Sequence, residues 1–143
     1  MNARPRTLII INHAAARARR VWTEIESTLK AKAVSFGAHE TRHAGDATTA
    51  TRDALRDGYQ LIAVVGGDGT LSEAAAGFFA LDEERDAPDG QQKIKTASLP
   101  APVSTDAALA ILPAGTGDDF ARGLVGRRER VEQWLERLIN YYE

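Results

Sequence analysis

A chain of 143 residues, 43% hydrophobic and 27% charged, is sized for one globular domain that buries about two-thirds of its unfolded surface. A formal net charge of −2 lacks the basic excess of a nucleic-acid binder, and with no cysteine disulfides, thiolate metal sites and cysteine nucleophiles are excluded. The longest apolar runs, 61–65 and 107–112, cannot span a membrane, and 8–11 is too short for a signal-peptide core, so a cytoplasmic protein without a transmembrane segment is expected.

Residues 7–11 read as a first buried strand ending at Asn12. A helix is predicted over 17–32, where Val21, Trp22, Ile25 and Leu29 recur at helical spacing and Arg17, Arg19 and Arg20 form a solvated face. Val34, Phe36 and Ala38 alternate as a short second strand running out near Glu40 and Thr41. Ala44, Ala47, Thr51, Ala54 and Leu55 predict a second helix, stopped by Asp57-Gly58.

The third strand, Leu61-Ile62-Ala63-Val64-Val65, is apolar throughout, as in a parallel sheet buried on both faces. It breaks into Gly66-Gly67-Asp68-Gly69, where the backbone can take φ > 0 or approach a ligand closely. Thr70-x-x-Glu73 reads as a capping box opening a third helix that carries Leu71, Ala74, Ala75 and Phe78 and ends near Leu81. Free N–H groups and the positive end of the helix dipole make such a turn an anion site. Asp68 would repel a bare phosphate, so it suits a phosphate carrying Mg²⁺. The P-loop pattern is absent, and Gly67-x-Gly69-x-x-Ser72 misses the dinucleotide fingerprint at its third glycine.

Residues 82–106 turn polar and proline-bearing with no period, and read as a flexible insertion, with an active-site flap as the alternative. A fourth buried strand over 107–112 is closed by Pro113. The turn Ala114-Gly115-Thr116-Gly117 then repeats the earlier device, with Thr116 as N-cap and Asp118 and Asp119 in the first helical turn. After Arg127-Arg128 a last helix turns Val131, Trp134, Leu135, Leu138 and Tyr142 inward. Trp22 and Trp134 read as core.

Strands alternating with helices predict an α/β fold, a three-layer doubly wound parallel sheet. Its carboxyl edge would gather Asn12, Thr41, the 66–70 turn and Gly115-Thr116-Gly117, which is where open α/β sheets bind ligands. His13, His39 and His43 show no metal-ligand spacing and read as solvated, with His43 within reach of that edge.

Val64-Val65-Gly66-Gly67-Asp68-Gly69-Thr70-Leu71-Ser72-Glu73 and Ile111-Leu112-Pro113-Ala114-Gly115-Thr116-Gly117-Asp118-Asp119-Phe120-Ala121-Arg122, in this order, resemble the diacylglycerol kinase catalytic domain family. That family includes bacterial lipid kinases and sphingosine kinases and shares a superfamily with NAD kinases and phosphofructokinases. The resemblance implies a Rossmann-like, phosphofructokinase-like half that binds ATP and serves the transfer of its γ-phosphate to a lipid hydroxyl such as diacylglycerol at a membrane surface. By carry-over, Thr41, Gly66, Gly67, Asp68, Gly69, Thr70, Leu71, Ser72 and Thr116 would line the ATP phosphates, with Asn12 beside them. Asp68 would be the catalytic residue, acting through Mg²⁺ as its metal ligand.

Three departures stand out. Asn12-His13-Ala14-Ala15-Ala16 lacks the family's proline and its Ser/Gly-rich turn, and Asp118 stands where family members usually have asparagine. Family enzymes also carry a second, β-rich domain that supplies the general base. The chain stops short of one, so it is expected to be the ATP-binding half, inactive by itself and cytoplasmic with peripheral membrane contact. Dimerisation is left open. The alternatives are an NAD kinase-like domain for a soluble substrate and a non-catalytic nucleotide-binding module.

Overall fold

In a computed structural model the described residues are 3–80 and 100–142. Four parallel strands lie in the order β2-β1-β3-β4, where β1 is Thr7–Ile11, β2 Phe36–Glu40, β3 Leu61–Gly66 and β4 Ala108–Pro113. The connecting helices are α1 (Ala18–Ala31), α2 (Asp46–Arg56) and α3 (Asp68–Ala76), and α4 (Asp119–Val125) and α5 (Val131–Tyr141) follow the last strand. The doubly wound α/β sheet is as expected.

The period of two along each strand sorts the core into layers. Ile9, Ile11, Ala63, Val65 and Leu112 face Val21, Ile25 and Leu29 of α1 and Trp134, Leu135 and Leu138 of α5. Ile10 and Ile62 face Ala47, Ala54 and Leu55 of α2, and Val64 meets Leu71 and Ala74 of α3. Every residue of β3 is buried, and each such Ile, Leu or Val contributes about 1.5–3 kcal/mol. Tyr142 closes the far end of the first layer, its hydroxyl 2.5 Å from Thr7 Oγ1.

The register pairs Ile11 with both Glu40 and Val65, Val65 with Leu112, and Gly66 with Pro113. All four strands therefore end at one level, and their following turns open onto one edge.

The third helix is shorter than its pattern implies. It ends at Ala76, and Phe78 follows it in a turn that packs against the α2 layer. Gly77 marks the stop, because a Cβ there would lie 2.5 Å from Thr48 O and 2.6 Å from Thr51 Cβ of α2. The close of the polar stretch is hydrogen-bonded to the residues that follow α3: Ala80 N donates to Ala101 O and Val103 N to Phe78 O, both at 2.8 Å. The remainder of the expected insertion, 82–99, lies outside the described residues. Among the described residues no helix is long and apolar enough to cross a membrane.

Candidate functional site

The turns at the carboxyl ends of the strands enclose a cleft of about 900 Å³. Of the residues singled out from the sequence, Asn12, Thr41, Gly67, Asp68, Gly69, Thr70 and Thr116 line it, as does His43. Three lie off it. Gly66 is buried at the end of β3, Leu71 packs on Val64, and Ser72 is exposed on α3 away from the cleft.

The two glycine turns touch. A Cβ on Gly115 would lie 2.7 Å from Gly67 Cα, so the turns cross at a distance that requires glycine at position 115. Left-handed geometry is not what this turn uses. Gly67 is extended at φ −94°, and the positive-φ glycines among the described residues are Gly45, Gly58 and Gly126. Glycine serves here for close approach.

The capping box does not form. Helix α3 begins at Asp68 with Gly67 as N-cap and no side-chain cap bond. Thr70 therefore lies inside the first turn, and its Oγ1 accepts from Asn12 Nδ2 at 2.9 Å. Glu73 lines the cleft, while its carbonyl accepts from Thr48 Oγ1 at 2.7 Å. The first i→i−4 bond is Leu71 N to Gly67 O, which leaves the N–H groups of Asp68, Gly69 and Thr70 without an intrahelical acceptor.

Asp68 has a role no sequence pattern announced. Its Oδ2 accepts from Asp119 N at 2.8 Å and its Oδ1 from Phe120 N at 3.2 Å. The acid of the first turn thus caps the helix that follows the second, placing its charge at the positive end of α4. Each oxygen keeps a lone pair. Among the described residues no group of three or more His, Cys, Asp or Glu could hold a metal unaided. A lone carboxylate fits Mg²⁺ in its usual manner, in which phosphate oxygens and water complete the octahedron.

Thr116 is not the N-cap of α4. Asp118 takes that place at φ 48°, a left-handed conformation that short Asp and Asn side chains tolerate. Its Oδ1 accepts from Gly115 N at 3.1 Å and its Oδ2 pairs with Arg17 Nη2 at 2.8 Å. The carboxylate is buried, and Arg17 neutralises the negative charge expected at this position. Arg17 is therefore a clamp rather than part of a solvated face, because it also donates to Gly115 O through Nε and Nη2. Arg128 holds the same turn, donating to Thr116 O at 2.9 Å and Gly117 O at 3.2 Å. With its carbonyls taken by guanidinium groups, the turn has the Thr116 and Gly117 amides without an acceptor among the described residues.

The alanine-rich loop after β1 does without glycine or proline because Asn12 shapes it. Asn12 Oδ1 accepts from Ala14 N and Asn12 O accepts from Ala15 N, both at 3.0 Å. Asn12 thus pins both its own loop and Thr70. The turn carrying Thr41, Arg42 and His43 is fixed by Asp46, whose Oδ2 accepts from Arg42 N at 2.8 Å and faces His39 Nε2 at 3.2 Å. The Arg42 amide holds the Asp46 carboxyl below its ordinary value, with partial burial opposing and His39 assisting. A lowered folded-state pKa means a contribution present at neutral pH and lost as pH falls through that value. Asp46→Asn should cost up to about 1 kcal/mol at pH 7 by urea unfolding, and the gap from the parent chain should close in acid.

Sequence reasoning missed Gly115 as the contact glycine, His13, Arg42 and Glu73 as lining residues, and Arg17 as a clamp. No local pattern marks Arg17, whose partner Asp118 lies 101 positions away.

Residues 6–141 match the model of the diacylglycerol kinase catalytic domain. The chain is 32% identical over 102 residues to a diacylglycerol kinase of Bacillus subtilis, covering 71% of this chain and 26% of that protein. It is 28% identical over 123 residues to a diacylglycerol kinase of Staphylococcus carnosus, covering 85% of this chain and 33% of that protein. A crystal structure of a diacylglycerol kinase from Bacillus anthracis superposes with a TM-score of 0.66 at 26% identity, over 94% of this chain and 42% of that one. The chain thus spans between a quarter and a third of these two curated relatives. With a match over nearly its whole length and a shared fold, the chain belongs to the diacylglycerol kinase catalytic domain family.

Proposed function

We propose that this chain is the nucleotide-binding part of an ATP-dependent kinase that transfers the γ-phosphate of ATP to a lipid hydroxyl such as that of diacylglycerol. The observation that carries the reading is the crossing of Gly67 and Gly115, which brings two sets of acceptor-free amides to one cleft. Phosphoryl transfer asks a protein mainly for positioning and charge neutralisation. The amides of Asp68, Gly69 and Thr70 and those of Thr116 and Gly117 are suited to cradle phosphate oxygens. Asn12 holds Thr70 in place, Thr41 lines the same cleft, and Arg42 adds a positive charge.

Asp68 is the residue that would hold Mg²⁺, which when bound neutralises charge developing on the phosphates. A lipid hydroxyl is met at a membrane surface, so this reading includes peripheral contact with a membrane. The family match favours the lipid branch over an NAD kinase-like domain.

Calorimetry on this chain tests the reading. Mg·ATP should bind with Kd on the order of 0.1–1 mM, about −4 to −5.5 kcal/mol, and more weakly without Mg²⁺. An absence of heat in both conditions would overturn it.

A further inference from the structure

The cleft holds a histidine whose surroundings the phosphate cradle does not explain. His13 follows Asn12 in the pinned loop, and its Nε2 lies 3.0 Å from Glu40 Oε1. The sheet register produces the pair: Glu40 ends β2 beside Ile11, two residues before His13. The imidazole is 27% exposed and Glu40 66%. His13 lines the main cleft and also a neighbouring cavity of about 390 Å³ that it shares with Arg17, Arg19 and Arg20. Its Nδ1 is buried and has no hydrogen-bond partner among the described residues.

A carboxylate only accepts, so Nε2 carries the proton in this pair and the neutral ring leaves a lone pair on Nδ1. Uptake of one proton at Nδ1 yields an imidazolium braced against Glu40, with its positive charge on a residue that lines the cleft. An anion arriving there favours that charged form, and by linkage the charged form favours the anion.

We propose that His13, oriented by Glu40, is a proton-coupled recognition residue for the polyphosphate of the nucleotide, taking up a proton as the phosphates bind. The proposal rests on the cleft being a nucleotide site.

The neighbouring charges leave room for this role. From α3 come Asp68, occupied at the start of α4, and Glu73, whose negative charge a bound phosphate would also have to overcome. From the turn after β2 come Arg42, always charged, and His43, whose Nδ1 lies 3.0 Å from Ala44 O. From the second glycine turn comes Asp118, already paired with Arg17. Arg19 and Arg20 of α1 lie on the side of the smaller cavity. His13 and His43 are thus the histidines that line the cleft, and replacing His13 separates them.

The test is calorimetry of Mg·ATP binding to the whole chain across about pH 6 to 8, in buffers of different ionisation enthalpy. The parent chain should bind about fivefold more weakly at the alkaline end and take up a fraction of a proton on binding. His13→Gln should lose most of the pH dependence and take up less proton. Glu40→Gln should retain the dependence with its midpoint moved to lower pH, since the imidazolium has lost its carboxylate. Proton uptake in His13→Gln equal to the parent's, or an equal loss of affinity at every pH, would overturn the role of His13 while leaving the cleft a nucleotide site. Failure of the parent chain to bind at any pH would overturn both.

Discussion

Replacing Gly115 with alanine should cost about 1–3 kcal/mol of stability and weaken Mg·ATP binding at least tenfold. The added methyl would sit 2.7 Å from Gly67 Cα and 2.9 Å from Asp118 Oδ1. Both obstacles are rigid: one is backbone, and the other is a buried carboxylate already held by Arg17 and the Gly115 amide. The turns must therefore part, and amides belonging to one cradle separate. A lost bond from one amide to a charged phosphate is worth about 1.5–3 kcal/mol, which is tenfold or more. Gly67→Ala supplies the contrast. Its methyl would stand 3.4 Å from Gly115 Cα, on a backbone that is already extended. Its stability cost should stay within about 1 kcal/mol, the scale of an N-cap change. Urea unfolding of the two variants checks the asymmetry. Equal costs would mean that the crossing is looser than 2.7 Å implies.

Asp68→Ala should remove both the cap of α4 and the Mg²⁺-dependent part of ATP affinity. The cap is worth about 0.5–2 kcal/mol, because the Asp119 and Phe120 amides lose their acceptor. Asp68→Asn separates the two roles. Asparagine keeps one acceptor oxygen, so α4 should retain part of its cap, while the negative charge that attracts Mg²⁺ is gone. Calorimetry with and without Mg²⁺, alongside urea unfolding, should show the Mg²⁺ effect vanish in both variants and the stability loss shrink in Asp68→Asn. Full Mg²⁺ dependence in Asp68→Asn would reduce Asp68 to a structural cap.

The sheet was legible in the sequence because its strands are short apolar runs with glycine or polar stops, and a parallel sheet demands little else. The edge where the turns converge followed from topology alone. What escaped was set by contacts between distant segments. Thr70-x-x-Glu73 looked like a capping box, yet the helix starts three residues earlier, with Gly67 as N-cap and Asp68 held by the amides of α4. Thr116 looked like an N-cap, yet Asp118 can adopt φ 48° and find both an amide and a guanidinium. The α3 pattern ran on past Gly77, which stops the helix because α2 lies against it. Helical spacing alone would leave Arg17 facing water. Its true partners, Gly115 and Asp118, lie nearly a hundred or more residues on.

The pairing of Arg17 with Asp118 also bears on how this sequence can drift. Substituting Arg17 alone strands a carboxylate that is only 6% exposed, a far heavier penalty than losing a surface ion pair. Asparagine at 118 would still accept from the Gly115 amide and would release position 17 from carrying a cation. The order of change is therefore constrained: the acid must be neutralised before the arginine is free to vary, so descendants that keep Asp118 inherit Arg17 with it.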